Sequence, residues 1–254
     1  MSRTEVTLYE VVDGAAWITL NSPSNRNVLS AQLVGELFDH LNAALADPAA
    51  RAVVITGAGP AFCAGADLKS APGGQRRASL VDVMTLMLDS PKPVIAAING
   101  SAFAGGLGLV GAADIVVTAE EAQFSFSEVR IGAIPAVISV VCIPKLGATH
   151  AARLFMTGER FSGQKAVELG LATQAVPAEG LRAAVQEQVE LIRLGAPGAI
   201  AEAKKLVRRI SSLPTAEGFA EAQPWTARVF AGPEAAEGIA AFKEKRRPSW
   251  ADQK

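Results

Sequence analysis

The sequence predicts an α/β protein in which helices pack on sheets, followed by a part of the chain built mainly from helices. Short apolar segments typical of buried strands, at residues 52–56, 93–98 and 114–118, alternate with helical patterns, as in folds whose sheets are covered by helices. From about residue 145 the strand patterns nearly vanish and helical periodicity dominates. We therefore predict an α/β core over residues 1–196 and a helical region over residues 197–254.

The N-terminal segment has the pattern of a β-hairpin. Residues 6–9 and 16–20 are typical of strands, and Asp13-Gly14 between them is a tight-turn signal. Ser30 precedes apolar residues at helical spacing, so we expect its side chain to cap a helix. Asp47-Pro48 marks the end of that helix.

Helical periodicity recurs along the rest of the chain. Residues 69–79, by contrast, are polar and rich in glycine, which is typical of a surface loop. The helices that we predict lie at about residues 80–88, from near residue 105, and at residues 148–156, 163–169, 181–194, 199–210 and 234–245.

Composition and charge argue against several classes of protein. Half of the 254 residues are hydrophobic and 19% are charged, which is the profile of a packed globular chain. The formal net charge of −1 gives no overall attraction to nucleic acid or to an anionic membrane, so an anionic ligand must be met by local positive charge. No apolar run reaches the roughly 18 residues of a membrane span. The polar, acidic N-terminus is unlike a secretory signal, so we predict a cytoplasmic protein.

The cysteines and histidines show neither a disulfide pattern nor a metal-binding pattern. Cys63 and Cys142 lie among apolar neighbours and are interpreted as small buried hydrophobic residues. His40 and His150 are isolated and lack metal-ligand spacing. We therefore predict no metal site.

Two glycine-containing turns are candidates for a ligand site. Residues 61–68 (AFCAGADL) follow a predicted strand, and residues 99–108 (NGSAFAGGLG) leave a strand and enter a helix. Small residues let a ligand approach the backbone closely, and a helix N-terminus offers free N–H groups. Two such groups converging from separate turns would form an oxyanion hole. Tight helix–sheet packing is the alternative explanation for each turn taken alone.

Taken in order, these turns and several later segments resemble the crotonase superfamily, also called the enoyl-CoA hydratase/isomerase family. The two turns resemble its oxyanion segments, and residues 122–135 resemble its segment with a catalytic glutamate. Further similarity is found at residues 155–161, 166–171 and 241–246. The resemblance extends from about Thr7 to Trp250 and implies a ββα spiral superhelix with a helical C-terminal trimerisation region. It also implies a homotrimer or homohexamer and a role in fatty acid metabolism.

The resemblance implies roles for particular residues. The N–H groups of Ala66 and Gly105 would hold the thioester oxygen of a coenzyme A substrate, and Glu128 would be the general acid/base. Without the family context, Glu128 would be interpreted as a solvated side chain paired with Arg130. The residues implied in binding the substrate and its coenzyme A part are Arg26, Ala64, Asp67, Leu68, Lys69, Gly106, Phe242 and Lys245.

Gly108 departs from the family pattern. Family hydratases with two glutamates carry the second one at this position, where the pair holds the attacking water. Because glycine has no proton to transfer, Glu128 would act alone. The resemblance implies a reversible enoyl-CoA hydratase, with a single-glutamate enoyl-CoA isomerase and a non-catalytic acyl-CoA-binding protein as alternatives. Coenzyme A would enter as part of the substrate, and no separate cofactor is expected.

A different function is suggested by one short motif. Residues 106–111 (GLGLVG) form a GxGxxG pattern that follows a strand and enters a helix, and Glu128 lies near the distance of a ribose-binding acid. An NAD-dependent oxidoreductase is therefore a further alternative. Against it, the motif lies far from the first strand, and a lone GxGxxG is a weak signal.

Overall fold

The structure, a computed structural model, describes residues 5–68 and 77–251. Strands and helices alternate through the first two thirds of the chain, and helices follow. In chain order the elements are β1 (Thr7–Val12), β2 (Ala15–Leu20), α1 (Ala31–Ala46), β3 (Ala52–Gly57), β4 (Ala61–Cys63), α2 (Leu80–Asp89), β5 (Val94–Ile98), β6 (Ser101–Phe103), α3 (Gly105–Ala112), β7 (Ile115–Ala119), β8 (Gln123–Ser125), α4 (Ala136–Thr157), β9 (Phe161–Ser162), α5 (Gly163–Glu168), β10 (Gln174–Val176), α6 (Leu181–Arg193), α7 (Pro197–Ile210), α8 (Thr215–Phe230) and α9 (Pro233–Glu244).

The strands form two sheets that the chain visits alternately. The six-stranded sheet has the order β1-β2-β3-β5-β7-β10, and the four-stranded sheet has the order β4-β6-β8-β9. From β3 onward, each pair of consecutive strands contributes one strand to each sheet and is followed by a helix. Three such ββα turns, ending in α2, α3 and α4, build the spiral, so the predicted fold class is confirmed.

The core lies between the sheets and the helices that follow them. Val53 and Ile55 on β3 face the larger cluster, whereas Val54 between them faces a second cluster on the outer side of the six-stranded sheet. Helix α6 covers that outer side with Leu181 and Val185. Both faces of β3 are therefore buried, which explains its continuous apolar sequence.

The predicted hairpin and first helix are confirmed. Strands β1 and β2 pair antiparallel. Asp13 and Gly14 between them have φ values of 50° and 81°, and a type I′ hairpin turn requires positive φ at both of its central residues. The Ser30 hydroxyl accepts a hydrogen bond from the N–H of Leu33 and caps α1. This cap fixes the start of α1, next to the site described below.

The structure differs from the sequence prediction in two helices. Helix α4 begins at Ala136, ahead of the predicted start at residue 148, and Gly147 (φ 68°, ψ 163°) breaks it. The apolar residues before Gly147 lack a polar face that would mark them as a helix. Helix α8 was not predicted because Pro224 lies within its pattern. Within the described residues, α4 alone has the length and composition of a membrane-crossing helix, a criterion that core helices also meet.

Buried polar contacts attach the C-terminal helices to the spiral. The ammonium group of Lys204 on α7 lies 2.7 Å from an Asp114 carboxylate oxygen and donates to the Met87 carbonyl at 2.7 Å. The guanidinium group of Arg51 donates to the carbonyls of Gly195 (2.7 Å) and Trp250 (3.1 Å). These bonds keep the chain after α6 packed against the core.

Candidate active site

Three adjacent parallel strands bring the predicted site residues to one edge of the four-stranded sheet. Strand β4 pairs parallel with β6, and β6 pairs parallel with β8. Ala66 follows β4, Gly105 follows β6 and Glu128 follows β8, each within a few residues of the strand end. Neighbouring strands lie about 4.8 Å apart, so this topology gathers residues that are distant in sequence.

The turns that contain Ala66 and Gly105 are in direct contact. A Cβ atom on Gly65 would lie 3.2 Å from the Gly105 nitrogen, and a Cβ on Gly105 would lie 3.6 Å from the Ala66 nitrogen. Gly65 also has a φ of 92°, which side chains rarely adopt. Glycine at 65 is therefore required both by conformation and by the closeness of the second turn.

The N–H groups of Ala66 and Gly105 are available to a ligand. Across the parts of the chain that the structure describes, neither N–H donates a hydrogen bond. Gly105 is the first residue of α3, where an N–H has no acceptor within the helix. The positive end of the helix dipole lies at the same place. Two neighbouring free amides at a helix start are the arrangement expected of an oxyanion hole.

A buried asparagine holds the first turn, and sequence reasoning missed it. The side-chain nitrogen of Asn27 donates to the carbonyls of Ala58 (3.0 Å), Ala61 (2.8 Å) and Phe62 (3.2 Å). Asn27 is fully buried and has a φ of 56°, a left-handed conformation that asparagine tolerates. An asparagine in a polar loop gives little sign of such burial, because its three acceptors lie more than thirty residues away.

Backbone hydrogen bonds complete the attachment of both turns. The N–H of Leu29 donates to the Gly65 carbonyl at 2.8 Å, and the N–H of Ala64 donates to the Arg26 carbonyl at 3.0 Å. In the second turn, Ala104 has the uncommon φ of 46° and donates to the Ser125 carbonyl at 3.0 Å. The loop before α1 and strand β8 therefore position the two amides.

Glu128 is a half-buried carboxyl group without a protein partner for one of its oxygens. It lies on a 3-10 turn (Ser127–Ile131) after β8, and its Oε2 is buried and accepts no hydrogen bond from the described residues. Burial raises the pKa of Glu128, and its own backbone N–H opposes this rise. Burial that favours the protonated form suits a carboxyl group both to accept and to return a proton.

The alternative interpretation of Glu128, a solvated side chain paired with Arg130, is wrong. The Arg130 Nε donates to the Gly158 carbonyl at 3.0 Å, and its Nη2 donates to the Thr157 carbonyl at 3.2 Å. The guanidinium group therefore holds the end of α4. Glu128 is half-buried and has no ion-pair partner among the residues described.

Cys142 on α4 is a buried residue that contacts α3. Burial raises the pKa of the Cys142 thiol to about 12; Lys145 lowers it and the nearby Glu128 charge raises it further. The same thiol donates to the Leu107 carbonyl at 3.4 Å. The Cys142 side chain therefore packs against α3, between Leu107 and Gly111. Cys63 is likewise buried, with a pKa raised to about 12 by burial, so both cysteines are packing residues as predicted.

The GxGxxG segment lies inside α3 and serves helix packing. A Cβ on Gly106 would lie 2.7 Å from the Cys63 carbonyl oxygen, and one on Gly111 would lie 2.8 Å from the Cys142 sulfur. In a dinucleotide-binding motif the first glycine lies in the turn before the helix. Here all three glycines lie within the helix, so the motif lacks the structural context of an NAD site.

The remaining predicted binding residues that the structure describes lie in four places. Ala64, Asp67 and Leu68 flank Ala66 in the first turn, where the Leu68 side chain is 76% exposed, and Gly106 is buried in α3. Arg26 is exposed and its carbonyl contacts the first turn. Lys69 lies outside the described residues. Phe242, which is 85% exposed, and Lys245 lie at the end of α9.

Comparison with known proteins identifies the family. The model of the enoyl-CoA hydratase/isomerase family matches residues 10–253. The chain therefore belongs to the enoyl-CoA hydratase/isomerase family, as its sequence motifs predicted.

The individual relatives differ in their named activities. A carnitinyl-CoA dehydratase of Proteus mirabilis is 38% identical over 215 residues, which cover 80% of this chain and 82% of the relative. An enoyl-CoA hydratase of Mycobacterium smegmatis has a solved structure with a TM-score of 0.89 and 32% identity, covering 96% of this chain and 98% of that one. The enoyl-CoA hydratase of Bacillus anthracis gives a TM-score of 0.88 at 32% identity, with coverage of 96% and 98%.

The raised pKa of Glu128 predicts a pH-dependent effect on stability. A carboxyl group whose pKa is higher in the folded than in the unfolded state destabilises the fold when it ionises. This penalty is absent below the unfolded pKa and develops as the pH rises through the unfolded and then the folded pKa. We expect Glu128→Gln to raise the melting temperature relative to wild type at about pH 8, and to have little effect at about pH 4.

The exposed Glu179 provides the control for this measurement. Glu179→Gln removes the same charge from the surface, so its effect on the melting temperature should be small at both pH values. If Glu128→Gln changed the melting temperature by the same amount at both pH values, the raised pKa of Glu128 would be contradicted.

Proposed function

We propose that this protein is an enoyl-CoA hydratase that adds water reversibly to a 2-enoyl-CoA thioester. The observation that carries the proposal is the pair of free amides, Ala66 and Gly105, at the same sheet edge as the half-buried carboxyl group of Glu128. Membership of the enoyl-CoA hydratase/isomerase family supports this reaction class.

The two amides stabilise the charge that develops on the thioester oxygen. When a nucleophile adds to the β-carbon of a 2-enoyl thioester, the double-bond electrons move toward the carbonyl and form an enolate. The N–H groups of Ala66 and Gly105 are fixed by their turns before the substrate arrives, so they bind this oxygen without reorganising. Losing one such donor typically raises the barrier by about 3 kcal/mol.

Glu128 carries the proton between water and the substrate. As the water oxygen bonds to the β-carbon, the Glu128 carboxylate takes a proton from that water. The enolate then collapses and its α-carbon takes the proton from Glu128, so one water has been added and the carboxylate is regenerated. The raised pKa favours this cycle, because the carboxyl group both accepts and returns a proton. Dehydration is the same sequence in reverse, which accords with the dehydratase among the relatives.

Enoyl-CoA isomerisation is a second candidate, and Gly108 favours it. With no side chain at position 108, Glu128 is the carboxyl group that the described site offers for proton transfer. An isomerase removes a proton from one carbon of the enolate system and returns it to another, and it needs no water. The same amides and the same glutamate serve either reaction. Acyl-CoA binding without catalysis would leave the burial of Glu128 Oε2 unexplained.

We further propose that Arg26, Lys69 and Lys245 supply positive charge for the coenzyme A part of the substrate, with Phe242 as an apolar contact. The support is the exposed position of Arg26 beside the first turn and the exposed end of α9. The chain has a formal net charge of −1, so the phosphates must be met by such local cations. Coenzyme A is part of the substrate in this reaction, and the atom balance needs no other cofactor.

We propose that the active form is a homotrimer or a homohexamer. Large apolar side chains are exposed along the start of α4 and on the C-terminal helices, at Ile134, Val137, Val140, Phe219, Phe230, Ile239 and Phe242. Apolar patches of this kind on a single chain mark surfaces that associate. Phe242 would then contribute to the site of a neighbouring copy.

The first test concerns the proton-transfer residue. We expect Glu128→Gln to lower turnover by about 10²- to 10⁴-fold, because the amide cannot accept the proton, while affinity for the saturated analogue butyryl-CoA changes little. Products formed from a panel of 2-enoyl-CoAs should be separated by chromatography. Hydroxyacyl-CoA from wild type indicates hydration and shifted double bonds indicate isomerisation. Glu179→Gln is the matched control, and equal turnover by Glu128→Gln and wild type would remove Glu128 from the mechanism.

The second test concerns the Ala66 amide. Replacing Ala66 by lactic acid converts its amide into an ester, which removes the N–H and makes the Gly65 carbonyl a weaker acceptor for the Leu29 N–H. We expect turnover to fall by about 10²- to 10³-fold with only a small decrease in melting temperature, because the lost N–H has no partner in the described chain and the Gly65 carbonyl keeps a weakened bond from Leu29. The same replacement at Ala64 removes a hydrogen bond to the Arg26 carbonyl and should lower the melting temperature. Unchanged turnover after the Ala66 replacement would refute the oxyanion role.

The third test concerns assembly. Light scattering coupled to size-exclusion chromatography should give three or six times the chain mass of 26.3 kDa. Introducing charge into the exposed apolar surface by Val140→Asp should reduce that mass, because an ionised side chain is poorly tolerated in a buried interface. Wild-type protein that elutes as a monomer would contradict the proposal.

A further inference from the structure

Three helices close the space beside Gly108. A Cβ atom at this position would lie 2.8 Å from Cγ2 of Ile138 on α4 and 2.9 Å from Sδ of Met84 on α2. Both distances are shorter than ordinary carbon contacts, so no side chain fits there unless Met84 and Ile138 move. Each of these residues is 4% exposed. The absent side chain at position 108 therefore leaves no cavity, because Met84 and Ile138 occupy its place.

Met84 and Ile138 lie close to Gly105, whose amide belongs to the candidate active site. Gly105 and Gly108 are one turn apart on α3, and a Cβ on Gly105 would meet Leu80 Cδ2 at 3.5 Å. Leu80 and Met84 are one turn apart on α2 and so share a face. The wall formed by Met84 and Ile138 therefore continues directly from the Gly105 amide.

The other end of this wall approaches Glu128. Ile138 and Cys142 are one turn apart on α4 and face α3 together, since Cys142 donates to the Leu107 carbonyl. The same part of the chain reaches Glu128, since the N–H of Ala133, three residues before α4, donates to the Glu128 carbonyl at 3.0 Å. An acyl chain held between the amides and Glu128 consequently runs past Met84 and Ile138.

We infer that Met84 and Ile138 are specificity-determining residues that restrict the site to thioesters whose acyl chain is apolar and unbranched beside the reacting carbons. The inference rests on the proposed function. A methyl branch directed toward α3 would need the space next to Gly108, which the two side chains fill. A hydroxyl or charged substituent there would lose its hydration against a thioether and an aliphatic group, without a hydrogen-bond partner.

The expected discrimination follows from the size of one methyl group. A single added methylene or methyl in an apolar pocket changes kcat/KM by roughly 10- to 200-fold. We expect wild type to prefer crotonyl-CoA over 3-methylcrotonyl-CoA by about this factor. Met84→Ala and Ile138→Ala each open the wall, so each should shift the ratio of the two kcat/KM values toward the branched substrate by about 10-fold or more.

A neighbouring methionine provides the matched control. Met87 lies on the same helix as Met84 and is fully buried in the main core, and it makes no close contact with Gly108. Met87→Ala therefore removes the same number of atoms from α2 and should lower stability while leaving the substrate ratio at the wild-type value. Ile138→Val keeps Cγ2, the atom nearest to Gly108, so it should leave the substrate ratio close to the wild-type value and serves as a second control. If Ile138→Ala does not fold, Met84→Ala tests the wall.

A binding measurement separates this inference from the proposed function. The affinities of butyryl-CoA and 3-methylbutyryl-CoA, measured by calorimetry, report the selectivity of the wall without any turnover. If wild type fails to convert either enoyl-CoA, the proposed function fails, and the ratio of these affinities still tests the wall. The inference is overturned if the ratio of the two affinities is unchanged in Met84→Ala and Ile138→Ala. It is also overturned if Met87→Ala shifts this ratio by the same amount.

Discussion

The approach of the Gly65 turn to the start of α3 is the contact on which the rest of the site depends. Gly65 lies so close to Phe103 and Gly105 that a Cβ atom would stand 2.9 Å from the Phe103 carbonyl oxygen. This approach brings together two backbone amides that come from different turns of the spiral. Catalytic preorganisation of this kind uses no side chain of its own, since the dipoles are part of the fold. Parallel pairing of β4, β6 and β8 then adds Glu128 at the same edge.

Local signals allowed much of this architecture to be predicted from the sequence. The Asp13-Gly14 turn and the Ser30 cap are short-range features, and each specifies its own backbone geometry. The motif around Ala66 and the segment around Glu128 could be assigned because their order resembles a known family, and the family model confirms that the chain belongs to this family. The GxGxxG pattern shows the limit of a short motif, because its glycines turned out to lie inside a packed helix.

Features that depend on tertiary contacts could not be predicted. Gly108 was recognised as a departure from the family pattern, but the sequence gives no indication that Met84 and Ile138, 24 and 30 residues away, fill its place. Asn27 likewise appeared to be an ordinary loop residue, although its amide connects to three carbonyls of another segment. Helix α8 contains Pro224, whose local propensity argues against a helix, and its packing in the C-terminal region overrides that propensity.

The two halves of α4 contact the candidate site at different places. Its first half supplies Ile138 and Cys142 beside α3, and its final carbonyls, with that of Gly158, receive the guanidinium group of Arg130, two residues from Glu128. The segment before Gly147 thus packs against α3, and the end of the helix holds the turn that carries Glu128. Because Gly147 breaks the helix between these two contacts, a bend at Gly147 would change the distance between the Glu128 carboxyl group and Ile138.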